Sequence, residues 1–360
     1  MQVGILTFHK TTNYGAALQA YALQKTLESE GIEASIIDYH NNRVYGYYDY
    51  RIRSCNHYKT IIGKIIRYRH NKAIWLHFQA FRNKRMRLSP FCKTLGELRN
   101  VESAYDAIIC GSDQVWNPNA IFQDFDAYLL GTASHKKIAY AVSAGNVSLW
   151  EKYLRTYWEL LHGFDAISVR ESDMIHPVKE LSQQEVSLVC DPTLLLEQDD
   201  WISIENNELK QPFPNGYILV YFLGKNRAVS ESALALQKET GLPIVSIGRE
   251  IKGSYRPAVG PEGFLSLFHQ ATYILTSSFH GTIFAIQYQK PFIVFGNGAY
   301  NSRMHTLLEH LALQERMQGN DYLIKTVLSG INEPIDWKNV AACKDTLKAN
   351  SIDFLKTVLS

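Results

Sequence analysis

The five cysteines of this sequence, Cys55, Cys92, Cys110, Cys190 and Cys343, are odd in number, widely scattered and never arranged as Cys-x-x-Cys. A disulfide framework and a cysteine-bound zinc or redox site are therefore not expected, and a reducing compartment fits. Long hydrophobic runs are missing too. The longest clear one, Tyr217–Leu223, falls well short of the roughly 18 residues that a membrane-spanning helix needs. The opening MQVGILTFHK has apolar residues where a signal peptide carries positive charge, so it reads as a first buried strand and the expected location is cytoplasmic. The loop after that strand has neither GxGxxG nor the Gly-Lys-Ser/Thr ending of a P-loop, and a nucleotide fingerprint is absent there. No sign of charge is in excess: 37 Lys and Arg against 35 Asp and Glu leave +2, which predicts no nucleic-acid partner. Repeats of fixed period and low-complexity tracts are also lacking.

What is present is a globular composition, 46% apolar and 20% charged over 360 residues, long enough for two domains of about 100–200 residues each. Short β-type runs alternate with helical patterns, as in a parallel sheet covered by crossover helices. The first unit is VGILTF (Val3–Phe8), a polar loop, a helix ended by Gly31, and IEASIID (Ile32–Asp38). Four more apolar runs follow, at Tyr105–Cys110, Lys137–Ser143, Ala166–Arg170 and Ser187–Pro192. A composition shift over Glu197–Asn215 is the best domain boundary. YILVYFL, PIVSIG, TYILTS and PFIVFG then supply a second set of strands, and after Asn332–Pro334 a last helix begins near Trp337. The expected fold is α/β, with two Rossmann-like doubly wound domains facing a cleft, spanning 1–196 and 210–333. A C-terminal helix over 335–360 is expected to pack back on the first domain. In such sheets the loops after the carboxyl ends of strands carry the chemistry.

Four of those loops stand out. In TYILTSSFHGTIFAIQYQKPFIVFG, the turn Ser277-Ser278-Phe279-His280-Gly281-Thr282 sits between a strand and a helix. A helix N-terminus offers unpaired N–H groups to an anion, Gly281 lets a ligand approach the backbone, and an imidazole suits proton transfer near neutral pH. The competing reading is a helix-capping serine with a packed histidine. The second loop, His9-Lys10-Thr11-Thr12-Asn13-Tyr14-Gly15, can hold a phosphate or sugar hydroxyls through Asn13 and Tyr14, or be an ordinary turn. The third, Cys110-Gly111-Ser112-Asp113-Gln114-Val115-Trp116-Asn117-Pro118, offers the ring of Trp116 to a sugar and Asp113 and Gln114 to its hydroxyls, although Gly-Ser-Asp and Asn-Pro also form turns. At the fourth, Arg170 ends a strand and can reach out to a carboxylate or phosphate, or form a surface salt bridge. Asp191-Pro192-Thr193 reads as a turn, and Asp124-Phe125-Asp126 is too short to count as a metal-binding DxD.

Residues 51–93 hold twelve Lys or Arg and no Asp or Glu, interleaved with Ile, Trp, Phe and Tyr at helical spacing. The other 317 residues therefore carry 25 basic and 35 acidic side chains. A solvated helical face accounts for such an island; a contact with a membrane surface or an anionic ligand is the functional alternative.

Taken in order, TTNYGAALQAYALQ, CGSDQVWNP, KIAYAVSAG, SVRE, DPTLLL, GPEGFLSLF and SSFHGTIFAIQYQKPFI resemble the polysaccharide pyruvyl transferase family over nearly the whole chain. That resemblance implies a GT-B-like pair of domains, the first on the acceptor side and the second on the donor side. It also implies transfer of the enolpyruvyl skeleton of phosphoenolpyruvate onto a sugar as a ketal. Phosphoenolpyruvate is then a substrate, and no cofactor and no metal are implied. His280 corresponds to the family's catalytic histidine. Arg170 falls at a donor-binding arginine, with Ser277, Ser278, Gly281 and Thr282 around the donor and Asn13, Tyr14, Asp113, Gln114 and Trp116 around the acceptor. Several members carry Arg-Leu before the histidine where this sequence has Ser278-Phe279, so the donor phosphate needs another cation, for which Arg303, Lys225 and Arg249 are the candidates. The implied acceptor is a saccharide of a surface polysaccharide or its polyprenyl diphosphate-linked precursor, which would bring residues 51–93 to the inner face of the membrane. Two other functions stay open at this point: a glycosyltransferase using a nucleotide sugar, and a non-catalytic saccharide-binding protein on the same scaffold.

Overall fold

The alternating pattern folds into two parallel sheets in a computed structural model that describes residues 1–48, 68–206, 213–224, 226–296, 301–319 and 323–360. The chain divides into two compact units, Met1–Leu195 with Leu347–Ser360, and Leu196–Thr346. In the first, six strands lie in the order β2-β1-β3-β4-β5-β6: β1 Gln2–Leu6, β2 Glu33–Ile36, β3 Ala107–Cys110, β4 Lys136–Val142, β5 Ala166–Val169 and β6 Val186–Leu188. In the second, five lie in the order β11-β10-β9-β7-β8: β7 Ile218–Phe222, β8 Ile244–Gly248, β9 Tyr273–Thr276, β10 Phe292–Phe295 and β11 Met317–Gln318. Every pairing is parallel. Helices cover such sheets on both faces, which is why β3, β7 and β10 are apolar and buried at every position.

Each sheet contains one place where the strand order reverses. After β1 the chain builds β2 on one side and returns to place β3 on the other; after β7 it builds β8, then β9 on the far side of β7. Loops leaving two such neighbours diverge and open a crevice at their carboxyl ends. In the first unit the reversal is fastened from below by the helix Tyr14–Ser29, thirteen of whose residues are buried. Its buried Gln19 donates to Thr7 Oγ1 at 2.9 Å and accepts from Ser112 N at 3.1 Å, so one carboxamide joins the loop after β1 to the loop after β3. A buried amide without those partners would cost about 1–3 kcal/mol.

Several boundaries differ from the sequence pattern for local reasons. β6 ends at Leu188 because Asp191 caps a short helical turn, accepting from Thr193 N at 3.0 Å. β11, two residues at a sheet edge, is too short to leave a periodic signal. The described part of the basic stretch forms the helix Tyr68–Arg85, which buries Phe78, Phe81 and Arg82, so its face is not wholly solvated; residues 51–67 lie outside the described residues. The last helix, Trp337–Leu359, passes from one unit to the other between Thr346 and Leu347. Its end is held within the first unit by Ser351 Oγ, which accepts from Cys190 N at 2.9 Å, and by Lys356, 2.8 Å from Glu30.

Candidate functional site

The reversal in the first sheet holds a cavity of about 300 Å³. Phe8, Thr11, Asn13 and Ala16 line it from the β1 side and Asp113, Gln114, Asn119, Ala120 and Phe122 from the β3 side, with Val44 closing one wall. Three residues expected around an acceptor therefore share one space. Asn13 reaches it as the N-cap of the helix Tyr14–Ser29, accepting from Ala16 N at 3.3 Å. Gln114 is oriented by Asn117, whose Nδ2 donates to Gln114 Oε1 at 2.8 Å, while the missing side chain of Gly145 makes room for it: a Cβ there would lie 2.6 Å from Gln114 Oε1. Asp113 has a left-handed backbone (φ 75°), which Asp tolerates better than most residues, and its carbonyl accepts from Ser143 N at 3.0 Å.

Behind Asp113 lies a buried ionic cluster. Arg170 Nη1 is 2.6 Å from Asp191 Oδ2, Nε is 3.7 Å from Glu171 Oε2, and Nη2 is 3.7 Å from Asp113 Oδ1. Ser112 Oγ donates to Asp191 Oδ2 at 3.3 Å, and Thr193 Oγ1 to Asp191 Oδ1 at 2.6 Å. Burial alone would lower the guanidinium pKa, yet Asp191, Glu171 and Asp113 outweigh it and the pKa is raised. This corrects the expectation that Arg170 extends from its strand end to meet a ligand. Its side chain is only 2% exposed, and what it touches at the cavity is Asp113.

Two of the expected acceptor residues are placed elsewhere as well. Trp116 is fully buried, its Nε1 donating to Tyr128 O at 3.2 Å and its ring packed against Trp150 and Phe164, so no face is offered to a sugar. Tyr14 is also buried, with its ring 5.0 Å from Phe78. Asp124, the discounted acid, accepts from Tyr39 Oη and Asn41 Nδ2, both at 2.7 Å.

In the second unit, the loop after β9 lies at the other reversal. Thr276 Oγ1 donates to Tyr221 O at 2.6 Å and accepts from Ser278 N at 3.0 Å, which ties it to the end of β7. Ser278 caps the helix Phe279–Gln287, and His280 is that helix's second residue, 7% exposed. Ser277 Oγ is buried with no hydrogen-bond partner among the described residues. Gly281 has a different purpose from the one expected: a Cβ there would lie 2.3 Å from Thr276 Oγ1 and 2.9 Å from Tyr221 Cδ1, so the glycine lets the helix meet the sheet rather than a ligand. Thr282 Oγ1 is turned inward, its one proton within reach of Ser278 O at 3.1 Å and Met304 Sδ at 3.2 Å, so it is a packing residue.

Of the candidate cations, Arg303 lies beside the turn, its guanidinium carbon 5.7 Å from the ring centroid of Phe279, the residue before His280. Arg249 is exposed just after β8, and Lys225 lies outside the described residues. Sequence reasoning missed Asn119 and Phe122 in the cavity wall, and named Thr11, in the wall, and Asn117, behind it, only as members of their loops. The signal available for Thr11 was its place between β1 and the Asn13 cap; Phe122 lies in a loop with no pattern of its own.

Among the described residues, no group of three or more His, Cys, Asp or Glu is placed to hold a metal ion, and no helix is long and apolar enough to cross a membrane. The architecture is similar to UDP-GlcNAc 2-epimerases. That of Neisseria meningitidis, solved with UDP-GlcNAc, matches at 11% identity and TM-score 0.56, covering all of this chain and 99% of the other. That of Rickettsia bellii matches at 12% and 0.56, covering 100% and 96%, and that of Methanocaldococcus jannaschii at 14% and 0.52, covering 100% and 99%. These likenesses establish a two-unit α/β fold of the GT-B type. No curated relative matches the sequence. The sequence pattern of one family does match, over residues 13–299, a span that takes in the Asn13 cap, Asp113 and Gln114, the Arg170 cluster and the His280 turn: the chain belongs to the polysaccharide pyruvyl transferase family.

Proposed function

We propose that this protein transfers the enolpyruvyl group of phosphoenolpyruvate to two hydroxyls of a saccharide and closes a pyruvate ketal. The observation that carries the reading is the convergence of Asn13, Asp113 and Gln114 on one cavity at the first sheet's reversal, in a chain of this family. Carboxylate, carboxamide and hydroxyl groups around an apolar wall of Phe8 and Phe122 suit a sugar, whose hydroxyls donate and accept and whose C–H face is apolar. The donor belongs to the second unit in this reading. It carries a carboxylate and a phosphate, for which the helix start at Ser278 supplies N–H groups and Arg303 a cation.

The chemistry balances without a redox step. Protonation of the methylene carbon makes C2 electrophilic, and the first acceptor hydroxyl adds to C2 and loses its proton. The second hydroxyl then attacks C2 and gives up its proton as the C2–O bond to phosphate breaks, closing the ketal and releasing one inorganic phosphate per sugar. His280 exchanges a proton with a hydroxyl or with the donor, and Asp113, held from behind by Arg170, orients the acceptor. Phosphoenolpyruvate is consumed as a substrate, and no cofactor or metal enters the scheme. The acceptor is a surface-polysaccharide saccharide or its lipid-linked precursor, met in the cytoplasm or at the inner membrane face.

The test is phosphate release from phosphoenolpyruvate, measured with and without a panel of free and lipid-linked saccharides, with mass spectrometry of the products. A saccharide-dependent rate and a product carrying the added pyruvate are expected. Consumption of a nucleotide sugar in place of phosphoenolpyruvate would replace this reading.

A further inference from the structure

The loop that lines the cavity faces two ways. Phe8 and Thr11 look into the cavity, while the residues between them, His9 and Lys10, turn to the corner where β1 and β2 end. Val44 and Tyr45 divide in the same manner. In that corner Asp38 Oδ1 is shared by His9 Nε2 at 2.9 Å and Lys10 Nζ at 2.7 Å. His40 stacks on Tyr45 with ring centroids 5.0 Å apart, and both His40 and Lys10 rest against Phe91, at 5.8 Å and 4.7 Å. Phe91 is 58% exposed and forms the outer lip. Deeper in, Arg82 is buried, close enough to Tyr45 and Asp38 for each to act on its charge.

Two polar atoms here, Arg82 Nη1 and His40 Nδ1, are buried with no hydrogen-bond partner among the described residues, and Tyr45 Oη, which has Tyr128 beside it, has none in ordinary geometry. A buried guanidinium with an unbonded Nη1, whose neighbouring carboxylate is shared with other cations, is costly for a fold to keep. Asp38 does not resolve it, because its charge is already divided between His9 and Lys10. A neutral sugar could satisfy the hydroxyl but not the charge. A phosphoryl group satisfies both, since it brings several acceptor oxygens with negative charge and matches the donors of arginine and lysine.

We infer that Lys10, His40 and Arg82, with Tyr45, form a binding site for a phosphate or diphosphate group carried by the acceptor saccharide. His9 and Lys10 lie in the chain between Phe8 and Thr11 of the cavity wall, so one short loop serves both the cavity and this corner and a sugar and the phosphate attached to it meet neighbouring residues. The inference rests on the cavity being the acceptor site, and it narrows the acceptor to a glycosyl phosphate or diphosphate.

The first measurement needs no turnover. Inorganic pyrophosphate is titrated into the full-length protein, followed by calorimetry and by NMR of the His40 ring. Burial and then Lys10 lower the His40 pKa, with Asp38 opposing and Lys93 and His9 reinforcing; a bound anion raises the midpoint. Lys10→Gln, at a quarter-exposed position, should weaken pyrophosphate by about tenfold, the scale of one hydrogen bond to a charged group. Arg82→Gln should do at least as much, and where it fails to fold the Lys10 variant decides. Kinetics then compare one saccharide free and linked through diphosphate to a short isoprenoid. Lys10→Gln should raise KM about tenfold for the linked form alone.

Pyrophosphate binding equally to wild type and Lys10→Gln, or not at all, overturns the site. So does a KM effect confined to phosphoenolpyruvate, which would give the corner to the donor. Loss of pyrophosphate binding with no change for the linked acceptor overturns its assignment to the acceptor and leaves a free-anion site. If no saccharide is pyruvylated while pyrophosphate binding still depends on Lys10, the catalytic reading fails and the anion site stands.

Discussion

Arg170 and Asp191 meet at 2.6 Å inside the first unit, with side chains 2% and 0% exposed, and this contact fixes what the arginine can do. Removing one partner of a buried pair leaves the other charge uncompensated, at a cost of about 3–5 kcal/mol. Arg170→Ala should lower stability on that scale in urea denaturation. Because Nη2 also faces Asp113 across 3.7 Å, the folded fraction should show a raised KM for the acceptor, with that for phosphoenolpyruvate little changed. An unchanged denaturation midpoint with a large rise in the donor's KM would instead make Arg170 a donor ligand.

Trp116 should behave as a core residue. It is fully buried, and its backbone carbonyl accepts from Trp150 Nε1 at 2.9 Å and Tyr157 Oη at 2.7 Å. Trp116→Ala is expected to cost about 3–5 kcal/mol through lost burial and the cavity it leaves. A conservative change to Phe should recover much of that while leaving acceptor KM near the wild-type value. Wild-type stability in Trp116→Ala, paired with lost acceptor binding, would return the ring to the sugar site.

His280 is argued from its place rather than its exposure. As the second residue of the helix capped by Ser278, it shares a helix start with the proposed donor anion. His280→Ala should cut turnover by about 10²–10⁴-fold, the range of acid–base catalysis, with a much smaller effect on the donor's KM. Circular dichroism must show the helix intact. Near-normal turnover in a folded His280→Ala protein removes the proton-transfer role.

The strands were legible because a strand covered on both faces must be apolar throughout, as Ile218–Phe222 is. The cavity was half legible for a similar reason: polar residues in the loops that follow strand ends, such as Asn13, Asp113 and Gln114, have little to do in a core. Trp116 defeated the same logic. An aromatic among polar residues looks like a sugar platform until Trp150, Tyr157 and Phe164, supplied by later segments, close over it. Arg170 misled because two of its three carboxylates, Asp113 and Asp191, lie far along the chain from it, and only the sheet order brings them to one strand end beside Glu171. The corner of Lys10, His40 and Arg82 was least visible of all. Composition marked Arg82 as one of twelve basic residues, but not as one that is buried.

Glu102 makes a prediction about pH that is independent of catalysis. It ends the helix Leu95–Glu102, is 1% exposed, and neither carboxyl oxygen has a hydrogen-bond partner in ordinary geometry among the described residues. Burial raises its pKa from 4.5 to about 7, weakly opposed by Thr132, Lys137 and Arg99. The folded state therefore binds this proton more tightly than the unfolded chain. Its stabilising contribution is complete below about pH 4.5 and is lost as pH rises through about 7, because ionisation inside the fold is resisted while ionisation of the unfolded chain is not. The effect is at most about 3–4 kcal/mol, since each tenfold difference in proton affinity between the two states is worth about 1.4 kcal/mol. Urea midpoints taken between about pH 5 and pH 8, the range that brackets the raised pKa, should fall with rising pH in the wild type. Glu102→Gln, which keeps the shape and stays neutral, should flatten that decline and be more stable than wild type at the alkaline end. Parallel curves for the two proteins would mean that the carboxyl is already ionised at the acid end and that some other group carries the dependence.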